Sequence, residues 1–268
     1  MRIDIRQTHV EVFFNNQLRC TEPRGAVHEW NQAHLYMSDP WHTPAKATVT
    51  GFQMEQISPK SGCTNHLACN FDDKAGLDDG SCNMPKMNRD CFGRNIGPDN
   101  QGVMTFIQGR RQLSNSPTGG SNGQMHAIVA LPLDFQITFG LTPINQPVQR
   151  WSNIIHFTAT GDNCCAYGDR IPAVWFYPKM FRLHTIDGQP SVGNDECVIS
   201  NFLQQNTHYD IAIDVRSTSV TVSINGVQAC TEKRANRAVF SAVHVYASDP
   251  WYTPANAMIN DFKMKALA

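Results

Sequence analysis

An internal repeat constrains the fold of this chain more than any other feature of its sequence. Residues 3–54 align with residues 213–264 at a constant offset of 210 and without a gap, and 23 of the 52 aligned positions are identical. Both copies contain Ser-Asp-Pro-Trp-x-Thr-Pro-Ala, at 38–45 and at 248–255. Identity at this level over a fixed offset indicates two copies of one structural unit.

The strand pattern is clearest in the second copy. Residues 209–215 and 220–224 alternate apolar with polar side chains, and a period of two is typical of half-buried β-strands. The Asn-Gly pair at 225–226 supplies the positive φ that a tight hairpin turn needs. The first copy has Asn-Asn at the equivalent positions 15–16, so the same hairpin is predicted in both copies.

The rest of the chain also favours β-structure. It has 18 Gly and 15 Pro, and helical periodicity is hard to find in it. We predict an all-β fold in which two antiparallel sheets pack face to face as a β-sandwich, with a small disulfide-rich connector. The further predicted strands are 126–132, 134–141, 151–158, 171–177, 180–186, 239–246 and 257–265.

The repeat predicts three regions. Residues 1–57 are the C-terminal half of a first sandwich repeat, 58–101 are a cysteine-rich connector, and 102–268 are a complete repeat. The first few residues do not form a signal peptide, so we expect the chain to be a segment of a longer polypeptide that begins within a domain. The alternative is a short gene whose first half-domain folds in a different way.

Nine cysteines are present, and four of them lie close together in the connector. Their spacings do not include the Cys-x2-Cys pairs of zinc sites, so a disulfide framework in an oxidising compartment is predicted, with three pairings open for the connector. The cysteines assigned to disulfides are Cys63, Cys69, Cys82, Cys91, Cys164, Cys165, Cys197 and Cys230.

The ninth cysteine is Cys20, the counterpart of Cys230 in the repeat. The complete copy has an even number of cysteines, whereas the first copy has only this one. We therefore expect Cys20 to be unpaired within this segment and to have its partner in strands that residues 1–57 lack.

The strand pattern of the second copy resembles that of the concanavalin A-like lectin/glucanase superfamily, which includes laminin-G-like domains. The similarity lies in 134–139, 151–157, 168–176, 183–184 and 220–226. It implies a lectin-like jelly-roll sandwich, and it implies the fold better than an activity.

The connector carries a sharper resemblance. Residues 62–72 and 78–82, followed by Cys91, are similar to a short cysteine module repeated in surface proteins of marine microbes and algae. That module usually has Asp-Pro where this chain has Asn65 and His66. The resemblance implies an extracellular, cell-surface setting.

The sequence lacks the residues of a glycan hydrolase. Glucanases of the resembled superfamily carry Glu-x-Asp-x-x-Glu or Glu-x-Asp-x-Glu on one strand face, which places two carboxyl groups about 5 Å apart. Asp195 and Glu196 are adjacent and would point to opposite faces of a strand. Metalloprotease and phosphate-loop motifs are also absent from the sequence, and we predict that the protein is not an enzyme.

One loop contains candidate calcium ligands. Asp162, Asn163 and Asp169 offer carboxylate and amide oxygens, which suit Ca²⁺, and the resemblance to laminin-G-like domains implies calcium at a loop rim. The alternative is a solvated, disulfide-tied loop in which Asp169 pairs with Arg170 or Arg182. No other cofactor is predicted.

Aromatic residues of the second copy are candidates for glycan contact. Trp151, Trp175 and Tyr177, together with Trp251 and Tyr252, could form a platform on which sugar rings stack. The alternative is that the strand tryptophans belong to the core. The repeated Asp-Pro-Trp turn, with its second proline, is interpreted as a rigid structural corner.

Two functions follow from these observations. The first is an extracellular structural protein of a cell-surface or flagellar-hair-like assembly, with copies of itself or the upstream part of the same polypeptide as partners. The alternative is a glycan-binding adhesin or lectin. A formal net charge of −1 and the lack of a basic block argue against nucleic-acid partners, and no apolar run reaches the ~18 residues of a membrane span.

Overall fold

The computed structural model describes residues 1–5, 9–23, 36, 38–54, 60–72, 75–113, 125–188, 196–234 and 237–267. Every regular element among these residues is a β-strand. This part of the chain accordingly has no helix with the length and apolarity that a membrane crossing requires.

The strands are β1 (Arg2–Ile5), β2 (His9–Phe14), β3 (Gln17–Pro23), β4 (Ser61–Gly62), β5 (Leu77–Asp78), β6 (Val103–Thr105), β7 (Arg110–Gln112), β8 (Met125–Leu131), β9 (Phe135–Pro143), β10 (Ser152–Thr158), β11 (Ala173–Phe176), β12 (Arg182–Ile186), β13 (Glu196–Phe202), β14 (Tyr209–Val215), β15 (Ser219–Ile224), β16 (Val227–Lys233), β17 (Phe240–Ala247), β18 (Thr253–Pro254) and β19 (Ala257–Ala266).

The chain divides into two compact units. The first comprises residues 1–61 and 74–77, and the second comprises residues 62–73 and 78–268. The first unit contains the sheet β1-β2-β3, and the second contains two large sheets. The boundaries predicted for the half repeat, the connector and the complete repeat stay predictions.

Two sheets form a sandwich in the second unit. Sheet A has the strand order β13-β12-β11-β10-β17-β8, and sheet B has the order β16-β15-β14-β9-β19-β6. The pairings along both orders are antiparallel, while the short β18 runs parallel to β10. The predicted all-β class and antiparallel β-sandwich are confirmed.

The hydrophobic core lies between sheets A and B. Phe157 on β10 of sheet A and Phe262 on β19 of sheet B are both fully buried, and their ring centroids are 6.0 Å apart. Burial of one such side chain contributes roughly 1.5–3 kcal/mol. Every second side chain of a strand points inwards, and in both sheets these inward side chains are largely apolar. Contacts between them hold the two sheets together.

The seven further segments predicted as strands overlap β8, β9, β10, β11, β12, β17 and β19. The sequence pattern does not predict β6, β7 or β13. In β13, Cys197 and Ile199 are buried, but Val198 and Phe202 are 58% and 64% exposed. Apolar residues on both faces of this strand remove the period-two signal.

The hairpin predicted in both copies is confirmed. Val12 lies opposite Cys20 in the first copy, Val222 lies opposite Cys230 in the second, and the register shifts directly after each valine. Both central residues of each turn, at 15–16 and 225–226, have positive φ angles. The strands β1-β2-β3 therefore reproduce β14-β15-β16, including the β-bulge.

The two copies differ in burial. Ile3 is 49% exposed and Phe52 is 55% exposed, whereas their counterparts Ile213 and Phe262 are fully buried. Ile213 is covered because β14 pairs with β9 and sheet A lies opposite. Within the described residues of the first unit, no second sheet faces β1-β2-β3.

The connector extends one edge of the sandwich. The backbone N–H of Asn88 donates to the carbonyl oxygen of Ile128 at 2.8 Å, and that of Cys91 donates to His126 at 3.1 Å. Residues of the connector thereby pair with β8, the last strand of sheet A, which protects its edge. Disulfides Cys63–Cys82 and Cys69–Cys91 tie the connector together.

A disulfide joins one edge of sheet A to the adjacent edge of sheet B. Cys197 lies on β13, the edge strand of sheet A, and Cys230 lies on β16, the edge strand of sheet B. Cys164 and Cys165 form a further pair within one loop. Cys20 is free and exposed, although it occupies the same register position as Cys230.

Candidate functional site

Sheet A carries large aromatic side chains on its outer face. Val174 and Phe176 of β11 belong to the core between the sheets, whereas Trp175 points the other way and belongs to a separate cluster. Trp175 is nevertheless only 2% exposed, because Trp151 and Tyr252 pack against this cluster. The alternation of β11 therefore brings a tryptophan to the outer face, where other aromatic residues cover it.

A cleft opens on this face. Trp151, Arg170, Trp175, His184 and Tyr252 line it, and we call it the aromatic cleft; it encloses about 170 Å³. The ring centroid of Trp175 is 5.5 Å from that of Tyr252, and the centroids of Trp151 and His184 are 4.7 Å apart. Three aromatic rings, an imidazole and a guanidinium therefore meet in one small space.

Strand pairing and two loops position these side chains. Trp175 on β11 lies directly opposite His184 on β12, so both side chains stand on the same face of sheet A. Trp151 immediately precedes β10, and Arg170 lies in the loop before β11. Tyr252 comes from the segment between β17 and β18.

The Asp-Pro-Trp corner holds Tyr252 in place. Asp249 Oδ1 accepts hydrogen bonds from the backbone N–H groups of Trp251 and Tyr252 at 3.1 and 2.9 Å. Asp249 Oδ2 lies 2.7 Å from His156 Nδ1, and both side chains are fully buried. The corner is thereby tied to the middle of β10, which agrees with its interpretation as structural.

The first copy forms the same local corner. Asp39 Oδ1 accepts from the backbone N–H groups of Trp41 and His42 at 2.8 and 2.9 Å. The rings of Tyr36 and Trp41 meet edge to face at 5.6 Å and 69°, and their counterparts in the second copy do so at 5.7 Å and 71°. The corner is thus set by its own short sequence.

Arg170 is buried in the wall of the aromatic cleft. Its Nε donates to the carbonyl oxygen of Asn163 at 2.8 Å, and its Nη2 donates to the hydroxyl oxygen of Tyr252 at 3.1 Å. Its guanidinium lies over the Trp175 ring. Within the described residues, Arg170 forms no ion pair with a carboxylate.

The pairing of Asp169 with Arg170 or Arg182, given as the alternative to calcium, is wrong. The carboxylate of Asp169 accepts hydrogen bonds from the Thr160 hydroxyl and the Ala166 backbone N–H. Asp169 is thus hydrogen-bonded within its own loop.

The candidate calcium ligands Asp162 and Asp169 differ in exposure and in hydrogen bonding. Asp162 is exposed, and its Oδ1 accepts from the backbone N–H of Asn163 at 2.7 Å. Asp169 is buried, and both of its oxygens already accept hydrogen bonds. Calcium binding at this loop stays a prediction.

A hydrogen-bond network lies beside the aromatic cleft. The Tyr177 hydroxyl donates to Glu196 Oε1, and His184 Nδ1 lies 2.8 Å from the same oxygen. Burial lowers the pKa of His184 although Glu196 opposes this, and burial together with Glu196 raises the pKa of Tyr177 to about 12. At neutral pH the imidazole is therefore mostly neutral, and the tyrosine keeps its proton.

Histidines form a second cluster on the outer face of sheet A. His126 Nε2 lies 2.8 Å from His244 Nδ1, and the His126 ring stacks on Tyr246 at 4.2 Å. Burial lowers the pKa of both histidines. His126 also lies beside Cys69 and Cys91, the one group of metal-ligating side chains that converges within the described residues, but these cysteines form a disulfide.

Three of the five aromatic candidates for glycan contact lie in the aromatic cleft, namely Trp151, Trp175 and Tyr252. Tyr177 packs against the ring of Trp151 at 4.6 Å, outside the residues that line the cleft. Trp251 packs instead against other side chains of the outer face, including His156 at 5.3 Å.

Two residues of the aromatic cleft, Arg170 and His184, are not predicted by the sequence as site residues. The period-two pattern could have placed His184 on the outer face. Leu183 is buried in the core, so the next residue of the strand faces outwards. Arg170 has no such signal, since it lies in an irregular loop.

Comparisons with known proteins give similarities of structure only. No protein-family model matches the chain, and no curated protein matches it by sequence. The chain is similar to the binding domain of botulinum neurotoxin serotype D, with 13% identity over 59% of this chain and 39% of that one and a TM-score of 0.43. It thus spans about two fifths of the length of that neurotoxin chain.

Two smaller solved structures are also similar. The carbohydrate binding module CBM66 from Bacillus subtilis matches with 10% identity, 68% of this chain, 99% of that chain and a TM-score of 0.36. Sheep galectin-11 matches with 12% identity, 52% of this chain, 95% of that chain and a TM-score of 0.34. All three TM-scores are low, so the functional argument rests on the aromatic cleft itself.

Proposed function

We propose that this protein is an extracellular, non-catalytic glycan-binding protein with a concanavalin A-like, laminin-G-like sandwich, and that the aromatic cleft is its binding site. The observation that carries this proposal is the composition of the cleft, in which Trp151, Trp175 and Tyr252 surround a small cavity that Arg170 and His184 also border. Pockets for small ligands typically combine aromatic walls with a few convergent polar groups.

The chemistry of the cleft suits a sugar. Aromatic faces pack against the apolar C–H face of a sugar ring, and N–H and O–H groups at the rim serve its oxygens. Within the part of the chain that the structure describes, the buried indole N–H of Trp175 has no hydrogen-bond partner, and a buried donor without an acceptor is costly. A ligand oxygen would satisfy it.

A binding role is favoured over hydrolysis. Retaining glycosidases need two carboxyl groups about 5 Å apart. Among the described residues, Glu196 contacts the side chain of His184 in the cleft, whereas Asp249 contacts Tyr252 only through its backbone N–H and is fully buried. Asp195 lies outside the described residues. A tyrosine nucleophile at Tyr177 is disfavoured, because burial and Glu196 raise its pKa to about 12.

The extracellular location is proposed from the disulfides. Eight of the nine cysteines are paired, and such frameworks persist in oxidising compartments. The resemblance of the connector to a surface-protein module supports the same location.

A structural role in a cell-surface or flagellar-hair-like filament is the second candidate, and the first unit favours it. The strands β1-β2-β3 repeat the hairpin of the second copy, yet Ile3 and Ile5 are 49% and 61% exposed and Cys20 is free. We propose that this apolar face and its cysteine join copies of the protein, or another part of the same polypeptide, into an assembly. A glycan-binding protein can have both roles.

The experiment that tests the main proposal is a glycan array followed by calorimetric titration of the best ligands. Trp151→Ala should weaken binding at least about tenfold, since it removes one stacking wall. Trp41→Ala is the control, because Trp41 is an exposed tryptophan of the first copy and is not among the residues that line the aromatic cleft. The proposal is wrong if no glycan binds, or if both variants weaken binding equally.

A further inference from the structure

We infer that the aromatic cleft selects anionic sugars, and that Arg170 binds the carboxylate or sulfate group of such a sugar. This inference rests on the proposed glycan-binding function and narrows its ligand class. It depends on the charge balance of the described residues around the cleft.

Arg170 is a buried cation that has no counter-ion among the described residues. Its side chain belongs to a residue that is 8% exposed, and its two hydrogen-bond acceptors, the Asn163 carbonyl and the Tyr252 hydroxyl, are both neutral. Buried charges in proteins are normally paired with an opposite charge. Among the described residues, no carboxylate lies within ion-pair distance of Arg170.

The carboxylate of Glu196, beside the cleft, is already hydrogen-bonded to other residues. Glu196 Oε1 accepts hydrogen bonds from the Tyr177 hydroxyl and from His184 Nδ1. Glu196 therefore does not serve as the counter-ion of Arg170. Arg182, the other cation near this network, lies over the Tyr177 ring at 4.5 Å. Both arginines act to lower the pKa of His184, after the larger effect of burial. Arg170 is the one charged side chain among the residues that line the cleft.

Arg170 and Trp175, which line the cleft, have N–H groups without an acceptor among the described residues. The guanidinium of Arg170 has five N–H groups in a planar fork. One on Nε and one on Nη2 donate to acceptors of the protein. The Trp175 indole N–H has none, and its ring lies below the guanidinium. Planar or tetrahedral anionic groups with several oxygens match such a set of donors better than a single hydroxyl does.

A purely structural arginine is the competing explanation. Arg170 links the loop at Asn163 to the corner at Tyr252, and it could do so without contacting a ligand. In that case the affinity of the protein for a sugar would not depend on the charge of the sugar. Matched ligands on the unmodified protein therefore distinguish the two explanations without any variant.

The test uses the full chain and three forms of one oligosaccharide. A uronic-acid oligomer is compared by calorimetric titration with its methyl ester, which has the same rings without charge, and with a sulfated oligomer of equal length. We expect the acid or the sulfated form to bind at least about tenfold more tightly than the ester, the difference expected for one charge-assisted hydrogen bond. Arg170→Gln should bring the ratio of the acid and ester affinities close to one, whatever its effect on the affinity for the ester itself.

The outcomes separate the two proposals. If the ester binds as tightly as the anionic forms, or if only neutral glycans bind to the array, the inference is overturned while glycan binding stands. If no glycan of any class binds, the proposed function fails and the inference fails with it. Loss of the charge preference in Arg170→Lys as well would further indicate that the planar fork is needed, whereas an unchanged preference in Arg170→Gln would overturn the assignment to Arg170.

Discussion

The guanidinium carbon of Arg170 lies 4.7 Å from the centroid of the Trp175 ring. The two residues reach this position differently, because Trp175 is fixed by the register of β11 and Arg170 by hydrogen bonds from an irregular loop. A cation over an indole face is stabilised by the ring quadrupole, by about 2 kcal/mol where both groups are desolvated. This pair links the frame of the sandwich to the cleft that we propose as a glycan site.

Breaking the buried pair at the Asp-Pro-Trp corner should destabilise the second unit. Asp249→Ala leaves His156 buried without its carboxylate partner and removes the acceptor of two backbone N–H groups, and a buried polar group left unsatisfied typically costs about 1–3 kcal/mol. Chemical denaturation of the full chain measures this change. Asp39→Ala is the matched control, since Asp39 has the same turn but an exposed histidine partner, and it should change stability far less. Equal effects of the two variants would contradict this account of the corner.

Much of the fold could be predicted from the sequence. The offset of 210 between the copies, the alternation of 209–215 and the turn pairs at 15–16 and 225–226 together predict the hairpins, since all of these are local patterns. The tryptophans of the cleft could also be proposed from the sequence as glycan contacts. A tryptophan on a strand faces either the core or the outer side, so the sequence left these two alternatives.

The cleft as a whole could not be predicted. Arg170 and Tyr252 are hydrogen-bonded across 82 residues of sequence, and His156 and Asp249 across 93. Periodicity shows which side of a strand a residue occupies, but not which loops cover the outer side. Arg170 in particular depends on a loop with no regular pattern.

Thiol titration should find one reactive cysteine. Cys20 is exposed and free, while the remaining cysteines are in disulfides. The native full chain should therefore react with about one equivalent of a maleimide or an aromatic disulfide reagent, and Cys20→Ser should abolish the reaction. Several reactive thiols in the native protein would show that the assigned disulfides are not formed.

Removal of the disulfide between the sheet edges should weaken the sandwich. Cys197→Ser with Cys230→Ser opens the link between β13 and β16, and loss of a native disulfide typically costs about 2–5 kcal/mol. Cys20→Ser serves as the control, because it removes a cysteine at the equivalent register position that has no disulfide. A double variant as stable as the wild type would show that the link does not hold the sandwich closed.

Stability should fall on mild acidification. Burial lowers the pKa of His126, His184 and His244 in the folded state, so below the ordinary value of 6.5 the unfolded chain binds more protons than the folded one. The free energy of unfolding therefore decreases as pH falls from 6.5 towards the lowered pKa values. For the fully buried His126 the slope is up to about 1.4 kcal/mol per pH unit.

Denaturation curves between pH 7.5 and 5 test this. The wild type should lose stability over this range, and His126→Asn should lose less over the same range, even if it begins from a lower stability. A flat profile for the wild type, or the same slope for both proteins, would contradict the assignment.

The most direct test of glycan binding at the aromatic cleft is an ¹H–¹⁵N spectrum of the tryptophan indole groups, recorded during titration with the ligand that binds best on the array. Trp175 lines the cleft, and its indole N–H has no hydrogen-bond partner among the described residues, so we predict that its signal and that of Trp151 shift on binding, while the signal of Trp41 stays in place. Tight binding that moves neither cleft signal would place the glycan elsewhere and contradict the account.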